Sequence, residues 1–409
     1  MRQLHGLDQE PPGPGAYTGG LRRLGRGLLT PGLLSFAVLY GVETFSRSLL
    51  ITVLPLQALR LLGDAQQVSV LFFVAALGGL TSALVVPLVS RHLRRGNMLI
   101  AAMAVLAAAC ALLATQTVIG TAAGIVLRMF SAAAVDVVLS LFVMSQFSRR
   151  DLSRFEPTRL FASAAGWTLG PWLGIVLAST VAVWVPFAAT AGAGALVIVY
   201  ARLLRLPDGP VRASRRPVNP LRYGRRFFVQ PRLRLAWVLA AGRAGWWGMF
   251  FIYGPIFVVQ NGMPESTGGL LASAGTAFLF IIPARGWVSR RYGLRWLMLG
   301  AYGATGILTP LAALATGWPS LVVVLLIMAA FAAIAIDAAG NVLFLRAVHP
   351  HERTEMAAVF GTYRDLSQLG PPGLFALVLR FLPLPAVFVI AGGWMVGLAL
   401  LCRHIPRRM

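Results

Sequence analysis

Long apolar stretches follow one another through this chain with only short polar breaks, near 32–56, 68–90, 97–114, 118–144, 160–180, 182–201, 235–259, 268–288, 296–314, 320–345, 356–379 and 382–402. Each is close to the roughly 20 apolar residues that cross a bilayer as a helix. In hydrocarbon the backbone has to satisfy its own hydrogen bonds, so twelve such stretches predict an all-α membrane protein. Composition agrees: 57% of residues are hydrophobic and 12% charged, against roughly a quarter charged in soluble domains.

The net charge of +23 comes from arginine alone, and its placement argues against nucleic acid as a partner. Thirty of the 36 basic residues fall on one side of the predicted membrane, in the amino terminus, the loops after spans 2, 4, 6, 8 and 10, and the carboxyl terminus. The positive-inside rule then puts both termini in the cytoplasm, and the expected location is a bacterial inner membrane. The first span, with no small-residue cleavage site behind it, reads as a retained helix. Residues 1–30 are expected to form a cytoplasmic tail, disordered over 1–25, 31–201 a first six-helix bundle, 202–234 a basic cytoplasmic linker, 235–402 a second bundle and 403–409 a cytoplasmic end. Cys110 and Cys402 sit apart in apolar spans, which supports neither a disulfide nor a metal site, and no cofactor is expected.

The two halves repeat at an offset of about 200 positions. Glu43 answers to Arg243, Asp136 to Asp337, Pro55 to Pro255, and Gly170-Pro171 to Gly370-Pro371. Ionisable groups inside a span are expensive and mark functional sites by default, and duplicated halves with intramembrane charges mark a carrier. The acids are Glu43, Asp136, Asp337 and Asp365, the arginines Arg47, Arg128, Arg243 and Arg364. Spans 3, 6, 9 and 12 carry none in their interiors, so spans 1, 4, 7 and 10 are expected to line a cavity while the spared four face lipid.

The i,i+4 spacing of Glu43 and Arg47 favours a local ion pair, with Arg243 as the alternative partner of Glu43. Asp136 and Arg128 lie two turns apart and are not expected to pair. Asp337 and Asn341 give span 10 a polar stripe, and Arg364 and Asp365, about 100° apart around their helix, are expected to face different partners. Tyr40, Trp247 and Tyr253 are candidates for the cavity wall beside Arg47, Arg128, Arg243, Asn341 and Arg364. All five histidines fall outside the spans, which leaves Asp136, Asp337, Glu43 and Asp365 as proton-coupling candidates.

This pattern resembles the major facilitator superfamily over nearly the whole chain. Its loop signature G-x-x-x-D-R-x-G-R-R is matched after span 8 by Gly286 to Arg295, including Gly293, with Arg290 in the place of the acid; the poorer copy after span 2 has Arg91 there. In the family that acid helps hold the cytoplasmic gate, so a latch here would need other acids, of which Asp151, Glu156, Glu352 and Glu355 are available. Arg128 stands where the family keeps a buried arginine. Gly166, Gly170, Pro171 and Gly174 resemble the motif of antiporting exporters, and the plainer alternative for them is tight helix packing. The resemblance implies a twelve-helix major facilitator fold in two pseudo-symmetric six-helix bundles.

The expected function is secondary transport by alternating access, with proton-coupled export of a small organic solute as the first reading. Import or uniport of an organic acid is the alternative, and a lipid scramblase or membrane-embedded enzyme is less favoured. No phosphate-binding glycine loop occurs and no nucleophile, metal set or acid–base pair clusters at one depth, so the chain is not expected to be an enzyme. Partners are the solute, protons and the bilayer, with the monomer as the expected working unit.

Overall fold

A computed structural model describes residues 31–90, 92–147, 149–206, 208, 220–281, 293–339, 342–349 and 352–405. The expected disordered tail lies outside them, as do Arg91, Gly286, Arg290 and Asn341. All the regular elements described are helical: α1 (Leu33–Ser48), α2 (Val53–Leu62), α3 (Ala65–Leu80), α4 (Ser82–Ser90), α5 (Arg95–Ala114), α6 (Val118–Gln146), α7 (Arg149–Thr180) and α8 (Val185–Leu203) in the first half. After α9 (Pro220–Val229) come α10 (Pro231–Gln260), α11 (Glu265–Ala277), α12 (Leu294–Leu314), α13 (Pro319–Ala339), α14 (Val342–Ala347), α15 (Arg353–Gly361), α16 (Tyr363–Val378) and α17 (Pro385–Leu401).

Local chemistry sets the helix ends. The Asp64 carboxylate accepts the Gln66 and Gln67 amides and starts α3, and the Thr117 hydroxyl accepts the Gly120 amide and starts α6, each satisfying donors that a helix leaves orphaned. Proline in the first turn opens α8, α10 and α17, where its missing N–H costs nothing. Pro231 therefore begins span 7 four residues before the expected boundary. Gly63, with φ +76°, ends α2 in a left-handed conformation that a side chain would resist.

Ten helices among the described residues are long and apolar enough to cross a membrane. The two remaining expected spans have identifiable reasons for missing that measure. Span 8 is described only through α11 and a 3-10 turn, Phe278–Ile281, and span 11 is divided between α15 and α16, the latter carrying Arg364, Asp365 and Gln368.

The hydrophobic interior forms two cores. One joins residues of α1 to α8, among them Phe36, Leu54, Met103, Leu139 and Phe187; the other is built mainly from α10 to α17 around Trp246, Phe250, Tyr302 and Phe388. Within the halves α1 lies along α7, α5 along α6, and α12 along α13 and α17. Between them α7 meets α11 and α3 meets α16.

These contacts close the end of the molecule away from the chain termini. There the Ser69 and Tyr253 hydroxyls are 2.7 Å apart, Gln66 Nε2 donates to the Ala376 carbonyl at 3.4 Å, and Arg60 and Glu265 approach to 3.9 Å.

Candidate functional site

Close packing of α7 on the first transmembrane helix sets the floor of the site. A Cβ on Gly170 would lie 1.9 Å from Ser48 Oγ, and one on Gly174 equally close to the Leu49 carbonyl oxygen. The Ser48 hydroxyl donates to the Gly166 carbonyl at 2.8 Å and Thr52 Oγ1 to that of Pro171 at 2.9 Å. Residues 49–52, between α1 and α2, leave the α-helical path at this level. The glycines of span 5 thus serve tight packing within one half. Their counterparts in span 11 do something else: Gly370 has open space around its missing side chain, while a Cβ on Gly373 would meet the Phe73 ring of the other half at 2.7 Å.

Beside this contact a cavity of about 430 Å³ opens between the halves. Arg47, Arg128 and Asp136 line it from the first half and Arg364, Asp365 and Gln368 from the second, with Phe72, Trp167 and Phe251 supplying apolar wall. None of its lining among the described residues comes from α5, α8, α12 or α17, the helices of the four spans with no ionisable residue in their interiors. Spans 1, 4 and 7 contribute as expected. Among the described residues span 10 contributes nothing to the lining, and spans 2, 5 and 11 contribute instead. Arg364 and Asp365 both line this one cavity, at adjacent positions of α16.

The charges divide into two sets. Arg47 Nε donates to Glu43 and Arg47 Nη2 to Asp136, so one guanidinium serves two carboxylates. Glu43 is sealed behind the arginine, its side chain 5% exposed, whereas that of Asp136 is 53% exposed to the cavity. In the second half Asp337 lies 3.1 Å from Arg243 and accepts the Trp247 indole N–H at 2.9 Å. The duplicated aspartate is therefore held by the first helix of its own half in both halves. Trp247 stands at the position equivalent to Arg47, 200 residues on. Glu43 takes the local partner, and Arg243 is engaged elsewhere. Asp136 is engaged by Arg47.

Several candidates for the cavity wall lie off it. Tyr253 is fully buried at the closed end against Ser69 and Phe375, because its hydroxyl finds a partner across the halves. Tyr40 packs edge-on to Phe155 with Arg159 over its ring. Trp247 and Arg243 are drawn to Asp337. Gln368, Phe72 and Phe251 also line the cavity; an amide or a phenylalanine within a span carries no signal by residue type that sets it apart from packing. Of the expected latch acids, Glu352 accepts from Arg226 of α9.

One further feature joins the halves. A proline cannot donate to the carbonyl four residues back, and the carbonyl that Pro171 leaves free, that of Trp167, accepts Thr276 Oγ1 of α11 at 2.8 Å. The next amide, Trp172 N–H, donates to Ser273 Oγ at 3.0 Å. Sequence reading noticed the proline but had no means of locating its partner.

A model of the Major Facilitator Superfamily matches residues 36–369. Among solved structures, a nucleoside transporter, NupG, superposes with a TM-score of 0.71 at 15% identity, covering 91% of this chain and 98% of its own. A POT family transporter in complex with a thioalcohol-conjugated peptide gives 0.72 at 10% identity over 90% and 94%. A peptide transporter, POT, in complex with sulfate gives 0.72 at 12% over 93% and 95%. At these identities the likeness is one of fold. No curated protein sequence matches the chain.

Proposed function

The chain belongs to the Major Facilitator Superfamily and is a secondary transporter rather than an enzyme, and from that premise we propose that it moves a small organic solute by alternating access, coupled to protons through Asp136. The supporting observation is the sharing of Arg47 between a sealed carboxylate and an exposed one at the cavity wall. Glu43 keeps the guanidinium neutralised, so Asp136 can take up and release a proton without leaving a buried cation unpaired. The cavity between the halves is the solute's binding place.

Thirty arginines on one face of the membrane support an inner-membrane location with both termini in the cytoplasm. In that orientation the closed end faces outward and the cavity is reached from inside. Export is the direction we favour, on the likeness of Gly166, Gly170, Pro171 and Gly174 to the exporter motif. Uptake of an organic acid with protons is the second reading, favoured by the arginines of the cavity.

Reconstituted protein under an imposed pH gradient, screened over anionic, cationic and neutral solutes, tests this. The expected result is movement against a solute gradient only while protons flow, with that coupling lost in Asp136→Asn. A wild-type pH dependence in Asp136→Asn would refute the role given to this carboxylate.

A further inference from the structure

We propose that Arg128 and Arg364 form an anion-binding site spanning the two halves, so that the solute carries a carboxylate or a group of similar charge and size. This rests on the reading of the cavity as the solute's site and holds for either direction of transport. Counting charges along the sequence leaves the sign of the cavity open, since four arginines face four acids within the spans. The structure separates them. Glu43 and Asp136 share Arg47 and Asp337 holds Arg243, and neither Arg128 nor Arg364 forms an ion pair among the described residues.

Both unpaired arginines line the same cavity. Arg128 Nε is sealed from solvent and has no hydrogen-bond partner among the described residues; a buried donor left in this way is costly, and a ligand accepting from the same guanidinium offsets part of that cost. Arg364 is exposed to the cavity, with its guanidinium 5.9 Å from the ring of Tyr363 and one long hydrogen bond, 3.4 Å, to that hydroxyl. Its sequence neighbour Asp365 also lines the cavity, yet points about 100° away around the helix and is not bonded to it. A guanidinium presents paired donors that match a carboxylate or phosphonate, and two of them from opposite halves would tie closure of the molecule to capture of the anion. The apolar wall at Phe72, Trp167 and Phe251 fits a flat hydrocarbon body behind the charged group.

Benzoate, with benzamide as its neutral isostere and benzylamine as its cationic counterpart, is a suitable probe set for the purified protein in detergent at constant pH. Binding is read from tryptophan fluorescence, with Trp167 in the wall as reporter, and from the shift in thermal unfolding. Benzoate should bind at least tenfold more tightly than benzamide or benzylamine, and that preference should fall about tenfold or more in Arg128→Gln and in Arg364→Gln. Arg364 is exposed, so its variant tests the site even where loss of the buried Arg128 impairs folding. No benzoate binding, equal binding of benzamide, a preference for benzylamine, or an undiminished preference in Arg364→Gln would each overturn the proposal. The measurement involves no proton gradient, so it separates failure of the anion site from failure of proton coupling.

Discussion

A single guanidinium between two carboxylates makes Arg47 the residue on which the first half's polar network depends. Removing it should cost more than removing either acid, because both carboxylates are then left without a cation, one of them sealed from water. Arg47→Gln should lower the unfolding midpoint well beyond Asp136→Asn, with a loss on the order of 3–5 kcal/mol, and Glu43→Gln combined with Arg47→Gln should recover part of it. Strictly additive losses in this double-mutant cycle would show that the pair is not coupled. The duplicated glycines offer a second test at this scale. Gly174→Ala places a Cβ 1.9 Å from a backbone oxygen, whereas Gly370→Ala meets its nearest atom at 4.0 Å. The first should destabilise by about 1–3 kcal/mol or more, and the second should be neutral or stabilise by up to about 1 kcal/mol, as the helix gains an alanine; equal effects in thermal unfolding would contradict the packing described.

At the scale of elements, Pro171 of α7 acts as a fastening. Proline frees the Trp167 carbonyl, and α11 answers with Thr276 while Ser273 takes the adjoining amide. These bonds exist only while α7 and α11 are together at the closed end, so they bias the molecule toward the state described. A net hydrogen bond is worth about 1 kcal/mol, a factor of about five in an equilibrium. Thr276→Val should therefore reduce disulfide formation between cysteines introduced at Gln66 and Ala376, in a background lacking Cys110 and Cys402, by about fivefold. An unchanged yield would mean that the bond is made equally well in both states.

For the molecule as a whole, the closed end and the cavity between two cores are what alternating access requires, and the side from which the cavity is reached depends on orientation. Tags on the two termini should both be cleaved by protease added to inverted membrane vesicles and both be protected in right-side-out ones. Protection of one tag in each preparation would require an odd number of crossings and overturn the proposed topology.

Fold class, the order of the helices and the two-fold repeat were all legible in the sequence, because hydrocarbon leaves a spanning backbone few options and the length of each apolar stretch reports directly on crossing. The Glu43–Arg47 pair was legible for a similar reason: i,i+4 residues on a helix are neighbours whatever surrounds them. Contacts between distant helices were not. That Asp136 meets Arg47 while Arg243 and Trp247 hold Asp337, that Tyr253 is buried against Ser69, and that span 11 lines the cavity all depend on how the helices rotate and tilt against one another. Packing of small residues and satisfaction of buried polar groups set that rotation, and neither is encoded in the periodicity of a single helix. Only the tertiary structure decides which of the four acids meet which of the four arginines.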